Sequence, residues 1–90
     1  MITKQFVIKG KVQGVAFRYY TKRSADTLGI KGITKNLQDR TVKVIAQADE
    51  GPLALFEAYL YKGSPHSEVD QIEITMTEND PIFTDFKIIG

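Results

Sequence analysis

The alternation of apolar and polar positions divides the chain into short elements. Gln5 to Val12 reads as a first strand, with Phe6, Val7 and Ile8 at its heart and Gly10 marking a bend or bulge. From Gln13 to Arg18 the pattern breaks into a loop containing Gly14. A helix is predicted from Phe17 to Leu28, where Phe17, Thr21, Ser24, Ala25 and Leu28 recur at helical spacing and Gly29 supplies a C-cap. Ile30 to Asn36 reads as a second strand interrupted by Gly32, and the polar stretch Leu37 to Arg40 as a turn. Thr41 to Gln47 sets Val42, Val44 and Ala46 against Thr41, Lys43 and Ile45, the period of a third strand that forms a hairpin with the second. Asp49 is an N-cap candidate, and Pro52 falls in a first helical turn, where its missing N–H costs little. Leu53, Phe56 and Leu60 form the buried stripe of this second helix, which Gly63 and Pro65 stop. Val69 to Thr77 is a fourth strand with Ile72, Ile74 and Met76 on one face, and the tail from Phe83 to Ile89 suits a short additional strand.

The order strand, helix, strand, strand, helix, strand specifies an α+β chain. Right-handed crossovers leave few arrangements for it, chief among them the ferredoxin-like βαββαβ sandwich. This is an antiparallel four-stranded sheet with both helices on one face, here with a short C-terminal strand added. So many unrelated activities use this fold that it carries almost no functional information.

Composition narrows the field. Ninety residues allow a single domain, 1–90, and an apolar content of 42% with three prolines indicates a globular chain. With no cysteine, there are no thiol nucleophiles, thiolate metal ligands or disulfides. The 12 Lys and Arg nearly balance 11 Asp and Glu, which argues against a general grip on nucleic acid. All the basic residues except Lys62 and Lys87 nevertheless lie between Lys4 and Lys43, where the only acids are Asp26 and Asp39. That asymmetry implies a local anionic ligand. No secretory signal pattern or membrane-length apolar run is visible, so the cytoplasm is expected, and with no feature pointing to an oligomer a monomer is assumed.

Candidate chemistry sits in Gly10-Lys11-Val12-Gln13-Gly14-Val15-Ala16-Phe17-Arg18, a strand entering a glycine-containing loop and then a helix N-terminus. Successive N–H groups of such a loop can face one concavity, where the helix dipole adds positive potential. Gly14 allows close approach of an anion, and the planar guanidinium of Arg18 matches two phosphate oxygens. The spacing is not that of a Walker loop. On physics alone, an ordinary strand-to-helix turn with a solvated arginine remains equally open.

The segment from Gly10 to Arg18 resembles the G-x-V-Q-G-V-x-F-R signature of the acylphosphatase family. A second block, Leu28-Gly29-Ile30-Lys31-Gly32-Ile33-Thr34-Lys35-Asn36-Leu37-Gln38-Asp39, is similar to that family's L-G-x-x-G-x-[VAT]-x-N-x-x-D. Phe56, the Lys62-Gly63-Ser64-Pro65 turn and Val69 also fall where the family has its second helix and following strand, so the resemblance spans nearly the whole chain. It implies hydrolysis of an acyl phosphate to a carboxylate and inorganic phosphate, without metal, cofactor or covalent intermediate. Arg18 then matches the catalytic arginine and Asn36 the catalytic asparagine. The backbone of Gln13, Gly14, Val15, Ala16, Phe17 and Arg18 holds the phosphoryl group, and inorganic phosphate is expected in the same place. The chain departs from the family at Ile33, commonly aromatic, and at Arg40 and Ala48, commonly glycine.

Other chemistry finds less support. His66 is the only histidine and lies in a Ser-Pro-His-Ser turn without acidic partners at metal-binding spacing. Tyr19, Tyr20, Tyr59 and Tyr61 read as packing and rim residues. RNA-recognition domains share the topology but carry aromatic residues on the third strand, where Thr41 to Ala46 has none. A specialised acylphosphatase-like domain, such as the one within hydrogenase-maturation carbamoyl transferases, is a further alternative that the short chain does not favour.

Overall fold

Strand β1, Ile2–Lys11, lies between two antiparallel neighbours, β3 (Val42–Ala48) and β4 (Glu68–Thr77). The hairpin partner of β3 is β2, Lys31–Asn36, again antiparallel. Helices α1 (Phe17–Leu28) and α2 (Glu50–Lys62) connect these strands, and β5 (Phe86–Ile89) ends the chain. The structure, a computed structural model, describes residues 1–79 and 81–90. The sheet order β4-β1-β3-β2-β5 reproduces the four-stranded antiparallel arrangement expected, with β5 added parallel to β2.

Packing follows from the period-two alternation. Phe6 and Ile8 of β1 and Val42, Val44 and Ala46 of β3 are fully buried on the helix-bearing face. The helices cover them with Phe17, Thr21 and Ala25 of α1 and with Leu53, Phe56 and Leu60 of α2. Phe56 is the hub, edge-on to both Phe6 (6.1 Å between centroids) and Phe86 of β5 (6.0 Å). Gly10 forms the expected bulge. The β1–β4 register shifts between Lys9 and Gly10, where φ is +135° and a Cβ would overlap the Glu68 carbonyl oxygen. No helix among the described residues is long and apolar enough to cross a membrane.

Three local expectations change. Of the apolar face expected on β4, only Ile72 is buried; Ile74 and Met76 are exposed, because β4 is an edge strand running beyond the helices' cover. Asp49 takes the N-cap position of α2 but makes no capping hydrogen bond; its carboxylate lies 3.4 Å from the Met1 amino group. The last strand begins at Phe86 rather than Phe83, because the backbone before it is used otherwise. The Phe83 N–H donates to the buried Gln47 side-chain carbonyl (2.9 Å), while the Gln47 amide nitrogen donates to the Pro81 carbonyl (3.0 Å) and to Thr3 Oγ1 (2.9 Å). This latch lets the chain leave β4 at one sheet edge and return as β5 at the other.

The β2–β3 turn absorbs the missing glycine through strain. Arg40 adopts the left-handed conformation at φ +71°, its N–H donating to the Leu37 carbonyl (3.2 Å). Left-handed backbone costs a side-chain-bearing residue about 1–2 kcal/mol, and glycine returns part of this as unfolded-state entropy. Arg40→Gly should therefore stabilise the fold by roughly 0.5–1 kcal/mol, raising the melting temperature by about 2–8 °C, whereas Arg40→Ala should not. Thermal unfolding of the three proteins measures this.

Asp39 braces the same turn. Hydrogen bonds from the Thr41 hydroxyl (2.5 Å) and the Thr41 N–H (3.1 Å) hold its carboxyl below the ordinary 3.8, and the charge of Lys9 adds to the effect. A depressed folded-state pKa gives stability that is present above the unfolded value and lost as pH falls through the folded one. Wild type should therefore exceed Asp39→Asn in stability by a constant margin at neutral pH. That margin should close once pH drops below about 3.8. Urea unfolding over a pH series checks the crossing point, and a gap unchanged down to the acid limit would contradict it.

Candidate active site

The loop from Val12 to Ala16 joins β1 to α1, and its backbone shape is set at two points. Gly14 has φ +74°, and a Cβ there would meet nothing within 4 Å, so glycine is needed for conformation rather than space. Ala16 is left-handed as well, at φ 62° and ψ 23°, and occupies the N-cap of α1. A left-handed residue followed by helical ones turns successive N–H groups toward one side. The first helical hydrogen bond runs from the Tyr20 N–H to the Ala16 carbonyl (3.1 Å), so the amides of Phe17, Arg18 and Tyr19 have no acceptor inside the helix. Ala16 offers no side-chain cap and the first turn carries no acid. This helix end keeps its donors and positive potential available to an outside anion.

Two side chains fix the loop against the rest of the fold. The Gln13 amide nitrogen donates to the carbonyls of Leu37 (2.8 Å) and Thr41 (2.9 Å), tying the loop to the β2–β3 turn. From the opposite side, the buried Ser64 hydroxyl donates to the Val15 carbonyl (2.6 Å). Asn36 is the last residue of β2, immediately before the turn that Gln13 grips, and pairs with Val42 on the helix-bearing face. The tie therefore brings Asn36 beside the loop.

The result is a cavity of about 210 Å³ lined by Gly14, Ala16, Phe17, Arg18 and Asn36, with Val12, Tyr19 and Ile88 completing its wall. Arg18 is its only charged lining residue, half-buried, with Nη1 donating to the main-chain oxygens of Ile89 (3.3 Å) and Gly90 (3.4 Å). This leaves the other guanidinium donors for a ligand. Asn36 Oδ1 is buried and has no hydrogen-bond partner among the described residues. Asn36 thus brings a neutral amide with an uncommitted oxygen to the wall of this donor-rich cavity.

Of the residues singled out from the sequence, Gly14, Ala16, Phe17, Arg18 and Asn36 line this one cavity. Gln13 and Val15 do not line it; the Gln13 side chain and the Val15 carbonyl serve as anchor points instead. Tyr19, read from the sequence only as a packing or rim residue, forms part of the wall; Ile88 of the wall and the Ser64 anchor were not identified from the sequence. Only the match at the Lys62 to Pro65 turn drew attention near Ser64, and nothing in a local pattern marks Ile88. His66 is exposed and outside the cavity, and no cluster of three metal-ligating residues occurs among the described residues. An uncapped helix end, a guanidinium and a neutral amide around a small cavity together suit a tetrahedral oxyanion and one water.

Comparison with known proteins points to one family. The family model for acylphosphatase matches residues 4–88. A protein of Actinobacillus succinogenes named acylphosphatase is 40% identical over 88 residues, covering 98% of both chains. The crystal structure of acylphosphatase from Bacillus subtilis superposes with a TM-score of 0.97 at 32% identity over the full length of both. A segment of full-length HypF, in a phosphate- and nucleotide-bound form, also matches at TM-score 0.87 and 27% identity, covering 99% of this chain but 12% of that one. Sequence, fold and cavity together make this chain a member of the acylphosphatase family of enzymes.

Proposed function

We propose that the chain hydrolyses acyl phosphates to a carboxylate and inorganic phosphate, with Arg18 and the amides of residues 13–18 holding the phosphoryl group and Asn36 orienting the attacking water. The observation that carries this reading is the convergence of the Asn36 side chain, Arg18 and an uncapped helix N-terminus on one cavity. In this reading the water oxygen attacks phosphorus while the bond to the acyl oxygen breaks, and the carboxylate departs with the electron pair. The water's proton passes to a phosphate oxygen.

The residues present suit this substrate better than an alkyl phosphate. Carboxylic acids have a pKa of about 4, so the leaving group departs without a general acid, and neither a carboxyl group nor an imidazole lines the cavity. What the protein must contribute is alignment of water with phosphorus and stabilisation of charge on the equatorial oxygens. Asn36 serves the first need, and Arg18 with the amides the second. The guanidinium and amides supply the positive charge, so the proposed reaction needs neither a metal nor a covalent intermediate. The proposal includes a monomer acting in the cytoplasm.

Benzoyl phosphate hydrolysis by the purified chain tests the assignment. Arg18→Gln should lower kcat/KM by about 10²–10³ or more, and Asn36→Ala should lower kcat by at least ~10² with a smaller effect on KM. Activity that persists in both variants, or is absent from the wild type, would overturn the reading.

Inorganic phosphate should inhibit competitively. Its binding should survive Asn36→Ala and be lost in Arg18→Gln, since the two residues are assigned to water and phosphate respectively. Calorimetric titration distinguishes them.

A further inference from the structure

A cavity larger than that of the candidate active site lies outside it. A groove of about 660 Å³ runs between α1 and the last turn of α2, floored by the turn from Gly63 to Ser67. Its size is that of small-molecule sites, which span about 300–1,000 Å³. Each helix contributes one cation and one aromatic ring: Arg23 and Tyr20 from α1, Lys62 and Tyr59 from α2. No acidic residue lines the groove, and neither Arg23 nor Lys62 joins an ion pair among the described residues. Four hydroxyls also line it: those of Thr27, Ser64 and Ser67 donate to the carbonyls of Arg23, Val15 and Ser64, while Ser24 makes no such bond among the described residues.

We propose that this groove is a second ligand site, for a small organic phosphate with a planar body, the chemistry of a nucleoside monophosphate. Arg23 and Lys62 meet the phosphate from opposite walls, Tyr20 and Tyr59 flank the ring, and the Ser24 hydroxyl meets the sugar. A bare oxyanion is a poor occupant. The groove faces the C-terminal end of α2, whose dipole opposes an anion, whereas the phosphate loop faces a helix N-terminus. Recognition here must draw on the ligand's body as well as its charge.

Titration of the full chain with AMP, followed by amide resonances, tests the site without any hydrolysis, and so separately from the acyl phosphate assignment. Saturable shifts are expected at Thr27, Tyr59 and Lys62. They should persist in Arg18→Gln and weaken by about tenfold or more in the double variant Arg23→Gln, Lys62→Gln. Adenosine, lacking the phosphate, should bind at least about tenfold less tightly than AMP. The double variant's spectrum also reports whether it is folded, and single variants replace it if it is not. Absence of saturable shifts in the millimolar range, AMP binding undiminished in the folded variants, or shifts confined to Gly14–Tyr19 and abolished by Arg18→Gln would each overturn the proposal.

Discussion

The two hydrogen bonds from the Gln13 carboxamide, to the Leu37 and Thr41 carbonyls, join what would otherwise be separate pieces of surface. One piece is the loop that ends in Arg18; the other is the strand end that carries Asn36. A glutamine suits the task because one amide nitrogen has two donors and can satisfy two turn carbonyls together. The tie is local in space but spans 24 and 28 positions of sequence. Ser64, reaching the Val15 carbonyl, supplies the opposing constraint, so the loop is held from both flanks while its own amides stay uncommitted.

Such a site is assembled against the usual rules of stability. A left-handed Ala16, a helix start with no side-chain cap and an unsatisfied Asn36 oxygen are each features that ordinary packing would remove. Strain of order 1–3 kcal/mol for such a residue persists only where the surroundings over-determine it. Here they do: Val12 and Phe17, on either side of the loop, are almost fully buried in the common core. Rigidity at the ends of the loop sustains its unusual middle.

Periodicity revealed nearly all of the architecture, since α1, α2 and the β2–β3 hairpin each bury a stripe of regular spacing. Arg18 and Asn36 were legible for a different reason, the match of two blocks to a known family; neither residue stands out on physical grounds in isolation. What escaped was non-local. Gln47 reads as the polar end of a strand, yet it is buried and latches the return to β5. Ile88 reads as one more apolar residue of the tail, yet it forms a wall of the cavity. Ile74 and Met76 alternate correctly but stay exposed, because alternation identifies a face and not whether a helix reaches far enough to cover it.

The contact of Arg18 with Ile89 and Gly90 bridges 71 and 72 positions. On a growing chain, the loop and α1 emerge early and can form local structure within microseconds. The guanidinium, however, meets these main-chain oxygens only after β5 has been made and has crossed the sheet to its far edge. Closing so long a loop is among the latest events of folding, since distant pairings incur their entropy cost before any contact repays it. This tether of the cradle's arginine is therefore unavailable until the last strand has arrived.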